Sequence, residues 1–116
     1  MKQPISETIF AGFLSHQIAG VFLIYEESVN EWDGEFFPYL WMADVAKAVS
    51  KRTIGPEDSE SLLKILDKEL GSGKDLIKNF IAVSFVENLP IPDKQGEEIV
   101  KGYSNLQAEY RKIYGC

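Results

Sequence analysis

Over residues 62–89 the apolar positions recur at steps of three and four, with one interruption at Gly71-Ser72-Gly73. Leu62, Ile65, Leu66 and Leu70 fall along one stripe of a helix, with Glu69 beside them. The glycines remove the Cβ twice, which predicts a turn with a left-handed end cap. Beyond it, Ile77, Phe80, Ile81, Ser84, Phe85 and Leu89 make a second stripe, flanked by Leu76, Val83 and Val86. A helix with so little polar surface must be covered by neighbours, so this segment is expected at the centre of the fold. Pro90 and Pro92 stop it, because proline lacks the N–H that would continue the ladder.

The same spacing extends in both directions. Residues 6–14 predict a short helix capped by Ser6, with Ile5, Ile9, Phe10 and Phe13 as its apolar side. Ile18, Val21, Phe22, Tyr25, Val29 and Trp32 predict a second, amphipathic helix that Asp33-Gly34 ends in a turn. Glu35 opens a third, with Pro38 in the first turn, where a missing N–H costs nothing. Its stripe is Phe37, Leu40, Trp41, Val45, Ala48 and Val49, and Lys47, Lys51 and Arg52 complement the dipole at its C-terminal end. Gly55-Pro56-Glu57-Asp58 is a start signal for the helix that leads into residues 62–70. Residues 94–102 are polar and read as a loop or a short frayed helix. Tyr103, Leu106, Gln107, Tyr110 and Ile113 share a face of a last helix. Two runs, 80–86 (FIAVSFV) and 21–25, also fit buried strands. Both lie inside longer helical spacing and lack hairpin turn pairs, which favours all-α over α+β. The expected architecture is an all-α, single-domain bundle of five or six helices with antiparallel helix pairs, resembling a short α-solenoid.

With 116 residues, 45% of them hydrophobic, the chain suits one core and leaves no material for a second. Its one cysteine, Cys116, has no partner within the chain, which argues against a disulfide framework and fits a reducing compartment. One early lysine and an apolar run broken at Ser15-His16-Gln17 are too weak for a signal peptide. Residues 18–25 are too few to span a bilayer. The expected setting is the cytoplasm, without membrane contact.

The net charge of −6 gains meaning once it is located. Between Gln3 and Ala46 there is no lysine or arginine, but there are seven acids: Glu7, Glu26, Glu27, Glu31, Asp33, Glu35 and Asp44. From Lys47 onward eleven bases balance eleven acids, so the excess belongs to the first 46 residues. Such a surface repels nucleic acid, whose binding depends on cations that neutralise phosphates. It attracts a basic protein and speeds its approach. Acidic surfaces also keep proteins soluble, and the one-sidedness is what points further.

The chemistry on offer is narrow. His16 is the one imidazole, so a cysteine or serine nucleophile has little choice of base, and one Cys with one His nearly excludes zinc. No GxSxG elbow, P-loop or GxGxxG occurs, and no ExxH pair for a di-iron bundle. No catalytic residue, metal ligand or cofactor is therefore assigned. Glu27 and Glu31 share a helical face, and Asp44 can approach from the next helix. That trio supports a cation site or acid–base work, or is a solvated face. Aromatics interleave the acids from Tyr25 to Trp41. Trp41 and Phe37 are expected in the core, and Trp32 at the helix end is the best candidate for exposure. Glu27, Glu31, Trp32, Asp33, Glu35 and Tyr39 then form an aromatic anchor within an acidic rim, the make-up of a binding surface for a basic partner. A homodimer through the aromatic face is a further reading, the chain being a monomer or weak dimer otherwise.

Two segments resemble a known group. Tyr25, Glu26, Glu27, Asp33, Gly34, Glu35, Pro38, Met42, Ala43, Asp44 and Val45, followed by Ile81, Ala82, Val83, Ser84, Phe85, Glu87, Asn88 and Leu89, look like a family of small, largely uncharacterised bacterial helical domains. Those domains are similar to ones found among immunity proteins of polymorphic toxin and contact-dependent growth inhibition systems. The resemblance covers residues 18–90. It implies a non-catalytic protein that binds and neutralises a cognate, basic, nuclease-type toxin domain. In such a protein Glu87 and Asn88 can be structural, closing the end of a buried helix.

Overall fold

In the computed structural model, which describes residues 7–90 and 95–115, every described run of three-and-four spacing forms a helix. In order these are α1 (Glu7–Gln17), α2 (Ala19–Glu31), α3 (Pro38–Lys51), α4 (Pro56–Ser72) and α5 (Asp75–Ser84). A 3-10 turn, Val86–Asn88, precedes α6 (Gln95–Val100) and α7 (Ser104–Tyr114). Helix accounts for 81% of the described residues and no strand occurs among them, so both ambiguous runs are helical. The expected caps and stops at Ser6 and Pro92, the apolar Ile5, and Cys116 lie outside the described residues. No described helix is long and apolar enough to cross a membrane.

Seven α-helices are described, against the five or six expected, because the polar stretch after Pro92 contributes α6. The solenoid expectation also needs correcting. In a stack each unit meets its sequence neighbours, whereas here α4 packs on α7 and α1 on α5. The cause is α5 itself. Ile77, Phe80, Ile81 and Ser84 are buried, as are Phe85 and Val86 just beyond it, and α1, α3 and α4 are all needed to cover them. The radius of gyration of 13.5 Å matches the ~13.4 Å expected of a compact chain of this length.

Several details of the predicted stripes shift. The buried row of α2 is Val21 and Ser28 following Ile18, which leaves Phe22 44% exposed at its edge. On α3, Trp41, Met42, Val45 and Ala46 are fully buried, while Leu40 is 57% exposed. No left-handed cap forms after α4: the helix runs through Ser72 and Gly73 has φ −78°. The second central helix is shorter than its pattern, leaving α geometry at Phe85 before the prolines are reached. Asn88 closes that end by donating Nδ2–H to the Ser84 carbonyl at 2.8 Å, a structural use of the Glu87-Asn88 pair. From α7, Tyr114 shares its hydroxyl proton between the carbonyls of Glu87 and Leu89, at 3.0 and 2.9 Å, and Tyr110 donates to that of Pro90.

None of α2, α3, α4, α5 and α7 has a capping bond from its own N-cap side chain, and at α2 and α7 another helix supplies one. Ile18 precedes α2 and Tyr103 precedes α7, and neither carries an oxygen placed to receive the first N–H groups. Both caps come from α4. The Asp58 carboxylate accepts from the Gly20 N–H at 3.0 Å. Asp67 Oδ1 accepts from the N–H groups of Asn105 at 2.8 Å and Leu106 at 2.9 Å, and Asn105 Nδ2 donates to the Asp67 carbonyl at 3.1 Å. Each carboxylate also sits at the positive end of a helix dipole. Gly20 is what lets α2 come this close, since a Cβ there would lie 2.9 Å from the Asp58 carboxylate and 3.2 Å from the Ile54 side chain.

Loss of these caps is expected to loosen the domain. Asp67→Ala should cost about 1–2 kcal/mol and Asp58→Ala about 1 kcal/mol, the usual range for a lost helix cap. Urea unfolding followed by circular dichroism measures both. Midpoints equal to that of the unchanged protein would remove α4 as the source of the caps.

Candidate functional site

The last two turns of α2 run into a tight turn and then α3. Asp33 (φ 54°) and Gly34 (φ 85°) are both left-handed, a conformation that glycine adopts freely and aspartate tolerates. The Gly34 N–H returns to the Val29 carbonyl at 2.8 Å and that of Glu35 to the Trp32 carbonyl at 3.1 Å. The predicted Asp33-Gly34 stop is therefore a closed turn. It leaves Asp33 and Glu35 exposed next to Glu27 and Glu31, which are exposed on α2.

The aromatic residues beside these acids divide differently from expectation. Trp32 is half-buried, with the Phe36 ring at 6.4 Å and the Phe37 ring edge-on at 5.4 Å. Phe36 reaches inward to Tyr25 at 4.8 Å and Trp41 at 5.8 Å. Trp41 is core, as expected, but Phe37 is not: it precedes α3 and is 42% exposed. Exposed ring surface at this corner thus belongs to Phe37 at least as much as to Trp32. Contacts of this geometry hold ring clusters together by about 0.5–1.5 kcal/mol each beyond burial.

Tyr39 stands apart from this group. Its ring meets Phe80 edge-on at 5.0 Å and its hydroxyl donates to Glu7 Oε2 at 3.2 Å, so it ties α3 to α1 and α5. Burial raises its pKa above the ordinary tyrosine value, and the Glu7 carboxylate adds to this as hydrogen-bond acceptor and negative charge, with Asn79 acting in the opposite sense. His16 lies in the last turn of α1 and is exposed, a surface position.

Between α2 and α3 runs an open groove of about 580 Å³. Its walls carry Glu27 and Glu31 from α2 and Asp44, Lys47 and Lys51 from α3; the buried Ser28 and Ala48 make its floor. The structure does bring Asp44 to the Glu27–Glu31 pair, and it brings two lysines with it. No salt bridge within 4.0 Å joins these groups among the described residues. Nor do three His, Cys, Asp or Glu side chains converge on a metal-binding geometry there.

Ser28, Asn30 and Thr53 are polar groove residues that the sequence reading passed over, and it placed Lys47 and Lys51 only at the dipole end of α3. A signal for Ser28 was present: Ile18, Val21, Tyr25, Ser28 and Trp32 are spaced 3-4-3-4, so a polar residue occupies a stripe position. The lysines carried none, because which side of α3 faces α2 depends on packing.

The DUF7674 family, described as a domain of unknown function, matches residues 15–115, from the last turn of α1 to the end of α7. No curated protein and no solved structure matches the chain.

The tyrosines give a pH dependence of definite sign. Burial also raises the pKa of Tyr103, helped by Glu60 and Asp67, and that of Tyr114, helped by Glu87. A raised folded-state value means that the native protein holds its protons longer than the unfolded chain. The stability this represents is fully present below about pH 10 and is lost as the pH climbs through the raised values. Urea midpoints should fall across that alkaline range, and less steeply in Tyr39→Phe. A flat profile would contradict the assignment.

Proposed function

The chain belongs to the DUF7674 family, and from the surface of α2 and its exit turn we propose a non-catalytic protein that recognises a basic partner. The observation that carries this reading is the exposure of Glu27, Glu31, Asp33 and Glu35 along one continuous stretch, in a part of the chain without lysine or arginine from Gln3 to Ala46. Four carboxylates on two helical turns and a closed turn present a fixed negative field. Such a field accelerates a cationic partner and orients it before contact. The Trp32–Phe36–Phe37 rings at the same corner supply apolar area that an acidic rim surrounds, the division of labour found at interface centres. Tyr39, held by Glu7 and Phe80, serves this surface by fixing the start of α3.

The resemblance of residues 18–90 to domains of bacterial immunity proteins gives the partner a class: a basic toxin domain, of nuclease type, neutralised by stoichiometric binding in the cytoplasm. Lys47 and Lys51 in the groove weigh against a divalent metal at Glu27, Glu31 and Asp44, since they offset all but one of the three negative charges there.

Co-purification from the native host should return a basic protein in a one-to-one complex. With that partner in hand, the double change Glu31→Lys, Asp33→Lys should slow association at low salt by about tenfold or more, and by less at high salt, where screening weakens steering. Association unchanged by the double change would take this surface out of the account.

A further inference from the structure

We propose that the groove between α2 and α3 receives one guanidinium side chain of the docked partner, with the Ser28 hydroxyl as its innermost acceptor; this rests on the protein-binding reading above. The buried serines Ser15, Ser28 and Ser84 are not alike. Ser15 donates to the Ala11 carbonyl at 2.8 Å and Ser84 to that of Phe80, the back-bond by which a helical serine satisfies its hydroxyl. The half-buried Ser50 does the same towards Ala46 at 2.9 Å. Ser28 is 3% exposed and forms no such bond to Ile24, nor a side-chain hydrogen bond to any other described residue. It lines the groove. Among the described residues the enclosed polar side-chain atom without a partner is Trp41 Nε1, so the Ser28 oxygen opens onto the groove, where an arriving donor can reach it.

The surroundings specify that group. Glu27 and Glu31 stand on one wall and Asp44 on the other, three carboxylates against the two ammonium groups of Lys47 and Lys51, so the groove keeps a surplus of one negative charge and suits a single monovalent cation rich in donors. A guanidinium has five N–H donors in one plane and no acceptor. It can meet a hydroxyl on the floor and carboxylates on opposite walls at once, which a compact ammonium cannot. Lys47 and Lys51 share the α3 wall and repel a second cation. They also favour an acidic residue next to the inserted arginine in the partner. The groove is wider than one side chain and open to solvent, which suits a residue carried on a protein surface.

Titration of the ¹⁵N-labelled full chain with N-acetyl-arginine amide tests this, with the lysine and norleucine amides as controls. The arginine probe should give saturable shifts at the amides of Ile24, Ser28 and Ala48, the lysine probe should bind more weakly, and the norleucine probe should leave them unmoved. Ser28→Ala keeps helix propensity and should weaken the arginine probe about fivefold, one net hydrogen bond of about 1 kcal/mol. Asp44→Asn should weaken it as well. Non-saturating shifts, an equal response to norleucine, or affinity indifferent to Ser28→Ala would each overturn the proposal. Asp33 lies off the groove, so Asp33→Lys separates the two readings. Slower partner association in that variant without probe saturation refutes the groove alone. Probe saturation with association unaffected by Asp33→Lys upholds the guanidinium site and refutes the docking face.

Discussion

Two aspartates on one face-to-face helix hold the beginnings of two others. Asp58 and Asp67 lie on α4, and each supplies the oxygen that α2 or α7 lacks at its own N-terminus. A helix start that is covered by protein needs such a partner, because its first N–H groups have none within the helix. Supplying it from a distant segment couples local helix formation to tertiary docking. The first N–H groups of α2 and α7 gain these bonds only when α4 is docked, and α2 comes this close to Asp58 because residue 20 has no side chain. Together with the broader packing of α2 on α1 and α3, this contact places α2 and with it the groove and the acidic corner.

The apolar centre places different demands on the chain. Phe80, Ile81, Phe85 and Val86 are fully buried, and no pair of neighbouring helices covers them. Contacts from α1, α3 and α4 surround α5, and α7 closes the segment after it through Tyr110 and Tyr114. That requirement folds the ends of the chain back over its middle. A polar pair, Ser84 and Asn88, lies within this apolar stretch, and both are satisfied locally: Ser84 donates to the Phe80 carbonyl, and its own carbonyl accepts from Asn88. Ser84 thus sits in the core without the cost of an unmatched group, and the exposed Asn88 closes the helix end beside it.

What was legible in the sequence was periodicity and punctuation. Pro38 and Pro56 mark the first turns of α3 and α4, and Asp33-Gly34 ends α2, since these residues act through their own backbone. Residues whose role depends on another helix were not legible. Leu40 and Phe37 follow the helical stripe of α3 yet are exposed, because the stripe is broader than the surface that α1, α2 and α5 cover. Asp58 and Asp67 look like ordinary acids of an amphipathic helix, and nothing near them in sequence shows that each faces a helix start 38 residues away. Of the candidate site, the acids of α2 and its exit turn were readable as a charge run. The two lysines opposite them, the separate placement of Tyr39 and the free hydroxyl of Ser28 required the packed structure.

Locating the charge also changes how it acts. Of the seven acids before Lys47, Glu7 accepts the Tyr39 hydroxyl and Asp44 shares the α3 wall of the groove with Lys47 and Lys51. The remainder lies on α2 and its exit turn. Glu27 and Glu31 are one helical turn apart, about 6 Å of rise, which is within the ~8 Å screening length at physiological salt. Charges that close present a single field to an approaching cation. The closed turn at Asp33-Gly34 extends that field around the corner to Glu35 without loosening the backbone. The lysines bound it on the α3 side, so a partner of the proposed kind would bring its cations over α2 and the turn, and its anions over the end of α3. A uniformly acidic molecule would attract any basic protein in any orientation. An acidic strip with a basic margin fixes the orientation as well, and orientation is what separates recognition from adhesion.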